Sequence, residues 1–181
     1  MNVLLLQHIR QKAYDNALLG TTRRDRGERL PHPPGTPSRE VSPRGIEQLR
    51  ALREQLAGTT FDAVLCSDLR RCADSACILT EDRHIPLTYL SMLRERDWGS
   101  LTGKRIDDIQ HAPFPPDVET VGQMLTRAGT FLQYIRERHT GQTVLVVSHG
   151  LFCRAIRSVA TGVAMKDIDR MDNATFRVLT L

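Results

Sequence analysis

Apolar residues in this chain fall by turns into short unbroken runs and into stripes at helical spacing. Val3 to Gln7 is a short, mostly apolar run of the kind that suits a strand buried on both faces. Ser42-Pro43 then begins a helix, with Ser42 as N-cap and the proline in the first turn. Ile46, Leu49, Leu52 and Leu56 form its stripe, and Gly58 stops it. Phe61 to Cys66 reads as a second strand, and Ser67 is placed to cap a helix from Asp68 to Thr80. Leu69, Cys72, Ala73, Ala76 and Leu79 mark the inner side of that helix. Ile85 to Leu90 is a third candidate strand. A long helix follows, marked by Val121, Leu125, Ala128, Leu132 and Ile135 and ending near Thr140-Gly141. Thr143 to Val147, β-branched and apolar, is the strongest strand signal. It runs into Ser148-His149-Gly150 and a helix through about Ala160, and Phe176 to Leu181 closes the sheet. Strands separated by helices predict an α/β fold, a mostly parallel sheet covered on both faces.

Two stretches lack periodicity. Gly20 to Arg39, rich in Arg, Pro and Gly, predicts a long loop insertion at about 20–40, a lid or a disordered segment. Gln110 to Asp117, with three prolines, predicts another loop. No repeat or linker divides the 181 residues, so one domain over 1–181 is expected.

Composition narrows the class of protein. Hydrophobic residues make up 40% and charged residues 25%, ordinary for a globular domain. No apolar run nears the ~20 residues that cross a bilayer, and the run at Val3 to Leu6 is too short for a secretory leader; a cytoplasmic address without membrane attachment is the expectation. The four cysteines have no Cys-x-x-Cys spacing and read as small buried hydrophobes. The net charge of +4 admits an anionic partner, but basic residues alternate with acids and aromatics are 5%, so a small anionic substrate is expected and nucleic acid is not. A solvated surface explains the mild basicity equally.

The candidate chemistry is positional. His8 and His149 both stand where a predicted strand ends, and ligand crevices of open parallel sheets lie outside those ends. Helices start just after Ser67 and just after His149, offering free N–H groups to an anion. A structural role is the competing reading for each histidine. As metal ligands, His8, His149 and Glu95 would be too scattered for any usual spacing, and neither metal nor cofactor is expected.

Longer stretches carry a resemblance. Leu4-Leu5-Leu6-Gln7-His8 resembles the opening strand of the histidine phosphatase superfamily, the phosphoglycerate mutase-like fold. Ser67-Asp68-Leu69-Arg70-Arg71-Cys72-Ala73-Asp74-Ser75-Ala76 resembles its second motif, Ser-x-Leu-x-Arg-Ala-x-x-Thr-Ala. Leu93 to Gly103, containing Arg94-Glu95-Arg96-Asp97-Trp98-Gly99, is similar to its acid-bearing segment, and Val144 to Gly150 to its final strand. Val41-Ser42-Pro43-Arg44-Gly45 with Gln48 is similar to the start of a family helix. The matches keep family order over nearly the whole chain.

The resemblance implies a three-layer α/β/α sandwich and a phosphoryl-transfer mechanism. His8 would attack phosphorus and carry the phosphoryl group covalently. Arg71 would grip the phosphoryl oxygens, although Arg70 competes for the role and a solvated helix face is its bland alternative. A protonated His149 would add a donor. Glu95 would protonate the leaving oxygen and later take a proton from water, with a surface charge cluster as the competing reading. Gly150 and Gln7 would complete the phosphate cradle. The sequence departs from the family at Gln7-His8-Ile9, where Arg-His-Gly is usual, and Tyr14 stands in place of an asparagine. Arg10, or Arg23 and Arg24 from the long loop, would supply the missing charge. The implied function is a phosphomonoesterase for a small phosphorylated metabolite, acting as monomer or homodimer. A weakly active or inactive pseudophosphatase that binds a phosphorylated ligand, and a mutase-type phosphotransferase, are the alternatives.

Overall fold

A computed structural model describes residues 1–7, 41–104 and 113–181. His8, Ile9, Arg10, Tyr14, Asn16, Arg23, Arg24 and the whole loop expected at 20–40 lie outside the described residues, as does the start of the loop expected at 110–117.

Five strands form one sheet in the order β3-β2-β4-β1-β5. They are β1 (Asn2–Gln7), β2 (Ala63–Cys66), β3 (Leu87–Tyr89), β4 (Thr143–Ser148) and β5 (Phe176–Thr180). All pairings are parallel except that of β1 with β5. Among the described residues four α-helices accompany them: α1 (Pro43–Gln55), α2 (Arg70–Leu79), α3 (Val121–Arg138) and α4 (Gly150–Thr161). The mostly parallel α/β sheet expected from the pattern is the sheet observed.

Strand alternation sorts the core into two layers. Val3, Leu5, Val144 and Val146 point to one face and pack with Phe131, Ile135, Phe152 and Ile156 of α3 and α4. Leu4, Leu6, Leu145 and Val147 point to the other and meet Leu49 and Leu52 of α1 and Cys72 and Ala76 of α2. Both faces of β1 and β4 are therefore dry, which is why their sequences are unbroken apolar runs rather than alternating ones.

Local signals explain the helix starts. Ser42 accepts from the Gly45 N–H at 3.2 Å with Pro43 in the first turn. Thr120 and Gln123 form a reciprocal capping box at the start of α3. The start of α2 corrects the sequence reading. The helix begins at Arg70 rather than Asp68, its N-cap is Leu69, and no side chain caps it. The Ser67 hydroxyl does take a 3.4 Å contact from the Leu69 N–H, but its stronger bond leads across the sheet, as described below. The third strand is three residues rather than six. It is an edge strand with Thr88 exposed, and the proline at 86 cannot donate to a ladder.

The register matters for function. Gln7 of β1 lies opposite Ser148 of β4, so the two central strands end side by side at their carboxyl ends. Cys66 pairs with Val147, and the chain leaves β2 at Ser67 at the same rim.

Candidate active site

His149 follows β4 directly and is the N-cap of α4, with no accessible surface. Its ring is held on both nitrogens. Arg71, in the first turn of α2, places Nη2 3.0 Å from Nδ1. Ser67 Oγ lies 2.9 Å from Nε2, and the Cys72 sulfur lies 3.4 Å from the same nitrogen. A guanidinium only donates, so Nδ1 is the acceptor in the Arg71 contact, while Ser67 and Cys72 face Nε2. The ring's visible work is to hold the Arg71 fork at the carboxyl end of the sheet.

Burial favours the neutral form of the thiols around it. Burial pushes the Cys66, Cys72 and Cys153 thiols well above their ordinary range, with Arg71 working the other way at Cys72. All four cysteines are free, and Cys77, less buried, is raised for the same reason.

Glu95 reaches the neighbouring helix start. Its Oε1 accepts from the Phe152 N–H at 3.2 Å and from the Arg96 N–H at 3.1 Å, and Oε2 lies 3.4 Å from the Leu151 N–H. The carboxylate thus occupies the positive end of α4, one turn from His149. Arg94 anchors the same segment to the second motif: Nε and Nη2 meet the two Asp68 oxygens at 2.7 and 2.5 Å. That pairing holds the Arg94 guanidinium charged beyond its usual range.

Gln7, at the end of β1, is buried. Its Nε2 donates to Asn173 Oδ1 at 3.3 Å, and its amide lies so close to Gly150 that a Cβ there would approach Oε1 to 3.0 Å. A neutral amide, tied to Asn173 and flush against the α4 N-terminus, therefore ends β1 at the position where the resemblance leads one to expect an arginine. Arg70, the rival to Arg71, is 3.7 Å from Asp74 on its own helix, and the His149 contact belongs to Arg71.

A cleft of about 300 Å³ opens at this rim, lined by Gln7, Arg96, Trp98, Gly150, Leu151, Arg154, Arg170 and Met171. Arg154, Arg170, Met171 and Asn173 were not singled out in the sequence, because each lies in a segment whose local pattern carries only helix or turn signals. Trp98 and Phe114 meet edge to face at 5.9 Å, and the Arg96 guanidinium lies 4.6 Å and 4.8 Å from their ring centres. Gly99 supports this wall. It has φ +47, and an added Cβ would stand 2.5 Å from the Asp117 carbonyl oxygen. Gly99→Ala should therefore lower stability by roughly 2 kcal/mol and loosen Trp98, measured as a lower melting temperature with altered tryptophan emission; an unchanged melt and spectrum would contradict this.

Among the described residues no group of three His, Cys, Asp or Glu is placed to hold a metal ion, and no helix is long and apolar enough to cross a membrane.

Comparison with known proteins points one way. The model of the histidine phosphatase superfamily (branch 1) matches residues 22–181. Phosphoserine phosphatase 1 of Hydrogenobacter thermophilus is 26% identical over 157 residues, covering 77% of this chain and 74% of that protein. The adenosylcobalamin/alpha-ribazole phosphatase of Escherichia coli is 31% identical over 124 residues, covering 60% of this chain and 61% of the other. Among solved structures, the alpha-ribazole phosphatase of Shigella flexneri superposes with a TM-score of 0.72 at 24% identity, over 98% of this chain and 89% of the other; at that identity the likeness bears on the fold.

Proposed function

This chain belongs to the histidine phosphatase superfamily, branch 1, and from that premise we propose that it hydrolyses a small phosphomonoester through a phosphohistidine on His8. The observation that carries the reading is the Arg71–His149 pair at the carboxyl end of the sheet, beside the end of β1 from which the chain runs into position 8.

In the proposed cycle a ring nitrogen of His8 attacks phosphorus as the bond to the ester oxygen breaks, and Glu95 gives its proton to the departing alkoxide. Water then attacks phosphorus, the P–N bond breaks, Glu95 takes the water proton and inorganic phosphate leaves. Arg71 holds two equatorial oxygens with its planar fork. His149, accepting from Arg71, fixes that fork in advance, so no side-chain ordering is required when charge develops. Gln7 and the Gly150 N–H contribute neutral donors. The Phe152 and Arg96 N–H groups on Oε1 and the Leu151 N–H beside Oε2 fix the Glu95 carboxyl at the α4 N-terminus, which supports this role.

A second reading has one observation behind it. Gln7 carries no charge and is committed to Asn173, which weakens the cradle and fits a homologue that binds phosphorylated ligands without turnover.

The test is hydrolysis of p-nitrophenyl phosphate in the presence of a chelator by wild type and His8→Ala. The expected result is turnover by wild type, loss in the variant, and a radiolabelled phosphoenzyme that survives alkali but not acid. Turnover that persists in His8→Ala sinks the mechanism. A wild type that is inert yet melts higher with inorganic phosphate selects the binding homologue.

A further inference from the structure

The cleft beside the proposed phosphoryl site has more positive charge than one phosphoryl group explains. Arg96, Arg154 and Arg170 all line it, and among the described residues no carboxylate does. Each arginine is fixed or available in a different way. Arg96 donates Nε to the Glu119 carbonyl at 2.7 Å and is clamped between Trp98 and Phe114, with no described partner for its two terminal nitrogens. Arg154 rises from α4 one turn after Gly150 and directs Nη2 to the Met165 carbonyl at 2.7 Å. Its Nε is buried with no hydrogen-bond partner among the described residues. Arg170 is exposed and has no described ion pair, although the neighbouring Asp169 engages Arg157 and Arg177. Three guanidinium groups facing one space repel one another, and such clustering persists where an anion offsets it.

We propose that this cleft is a specificity subsite for a second anionic group, a carboxylate or phosphate, on the alcohol part of the substrate. The assignment rests on the phosphomonoesterase reading above. The phosphoryl group sits at Arg71 and His149, and the alcohol part extends past Gly150 and Leu151 into the cleft. There Trp98 and Met171 flank its carbon skeleton, and Arg154 and Arg170 take its second charge. Arg96, clamped by the two rings, sets the depth at which that charge rests.

Matched esters test this. Wild type is assayed with 3-phosphoglycerate against glycerol 3-phosphate, and with fructose 1,6-bisphosphate against fructose 6-phosphate, each pair differing mainly in one anionic group. The expected result is a kcat/KM preference of roughly tenfold to hundredfold for the more anionic member of at least one pair. The pair that shows it distinguishes carboxylate from phosphate. In Arg170→Met, whose exposed side chain has no described partner to lose, and in Arg154→Met Arg170→Met, the ratio should fall toward one. Circular dichroism and a thermal melt verify folding.

No preference in wild type, or a preference that survives both variants, overturns the subsite. So does an equal loss for both members of a pair together with lost affinity for inorganic phosphate, because the arginines would then serve the phosphoryl group in place of the family's missing one. Should wild type be inert toward every ester, the phosphomonoesterase reading fails by itself. The same ratios are then read as dissociation constants by calorimetry, with equal affinities within both pairs overturning the subsite.

Discussion

Arg71→Ala should lower kcat/KM for an aryl phosphate by about 10²–10³, the loss typical of one charged donor aimed at transition-state charge. Arg71 is the cation fixed against His149, through a 3.0 Å bond in which the guanidinium can only donate. Removing it takes away both the proposed phosphate fork and the partner of Nδ1. Much of the loss should appear in kcat, since the grip strengthens as charge moves onto the equatorial oxygens. Arg71→Lys should recover only part of the rate, because an ammonium is a point charge that cannot engage two oxygens in one plane. Stability should change little, for the side chain is half-buried near solvent. If Arg71→Ala keeps wild-type kcat/KM, the pair at the end of β4 is not the phosphoryl site, and Arg70 becomes the residue to test.

Arg127→Ala carries the second large effect, on folding. Arg127 stands on α3, and its guanidinium ties three elements together. Nε and Nη2 meet the Glu119 carboxylate at 2.9 and 2.8 Å, while Nη1 donates to the Met92 and Arg94 carbonyls at 2.7 and 2.8 Å. The group also lies 3.9 Å over the Phe152 ring. Both partners of the ion pair are largely buried, at 21% and 13% exposure. Truncation would leave a carboxylate and two carbonyls without their donor, a loss of about 3 kcal/mol. For a chain of this size that is a fall in melting temperature of roughly 10 °C. Because the released carbonyls flank Glu95, activity should fall further than stability alone requires. Arg127→Lys should be intermediate. A melt within one or two degrees of wild type would show that this junction does not hold the acid-bearing segment.

The two predictions draw on features of different legibility. His149 was visible because a run of β-branched residues around Leu145, Thr143 to Val147, ends just before it, and a chain leaving a doubly covered strand must emerge at the sheet's carboxyl rim. Arg71 was visible through the motif spacing from Ser67. Arg127 carries no such signal. It lies between Thr126 and Ala128 on a helix whose stripe is set by other residues, and its five hydrogen bonds go to four residues 8 to 35 positions away. Ser67 was misread for a related reason. Local rules assign a serine before a helix to capping, whereas its hydroxyl meets His149, 82 residues on.

Periodicity and apolar runs along the chain were enough to establish strand and helix identity, the parallel α/β class, the two dry faces of β1 and β4, and the rim at which chemistry is possible. These follow from burial of neighbouring residues, which a linear pattern records directly. Convergence had to come from folding. The His149 ring held between Arg71 and Ser67, the Glu95 carboxylate on the α4 N-terminus, Gln7 pressed against Gly150, and the three arginines around one cleft all join residues from separate elements. A contact of that kind depends on the direction of side chains across the sheet and between its layers, and no spacing rule along one segment encodes it.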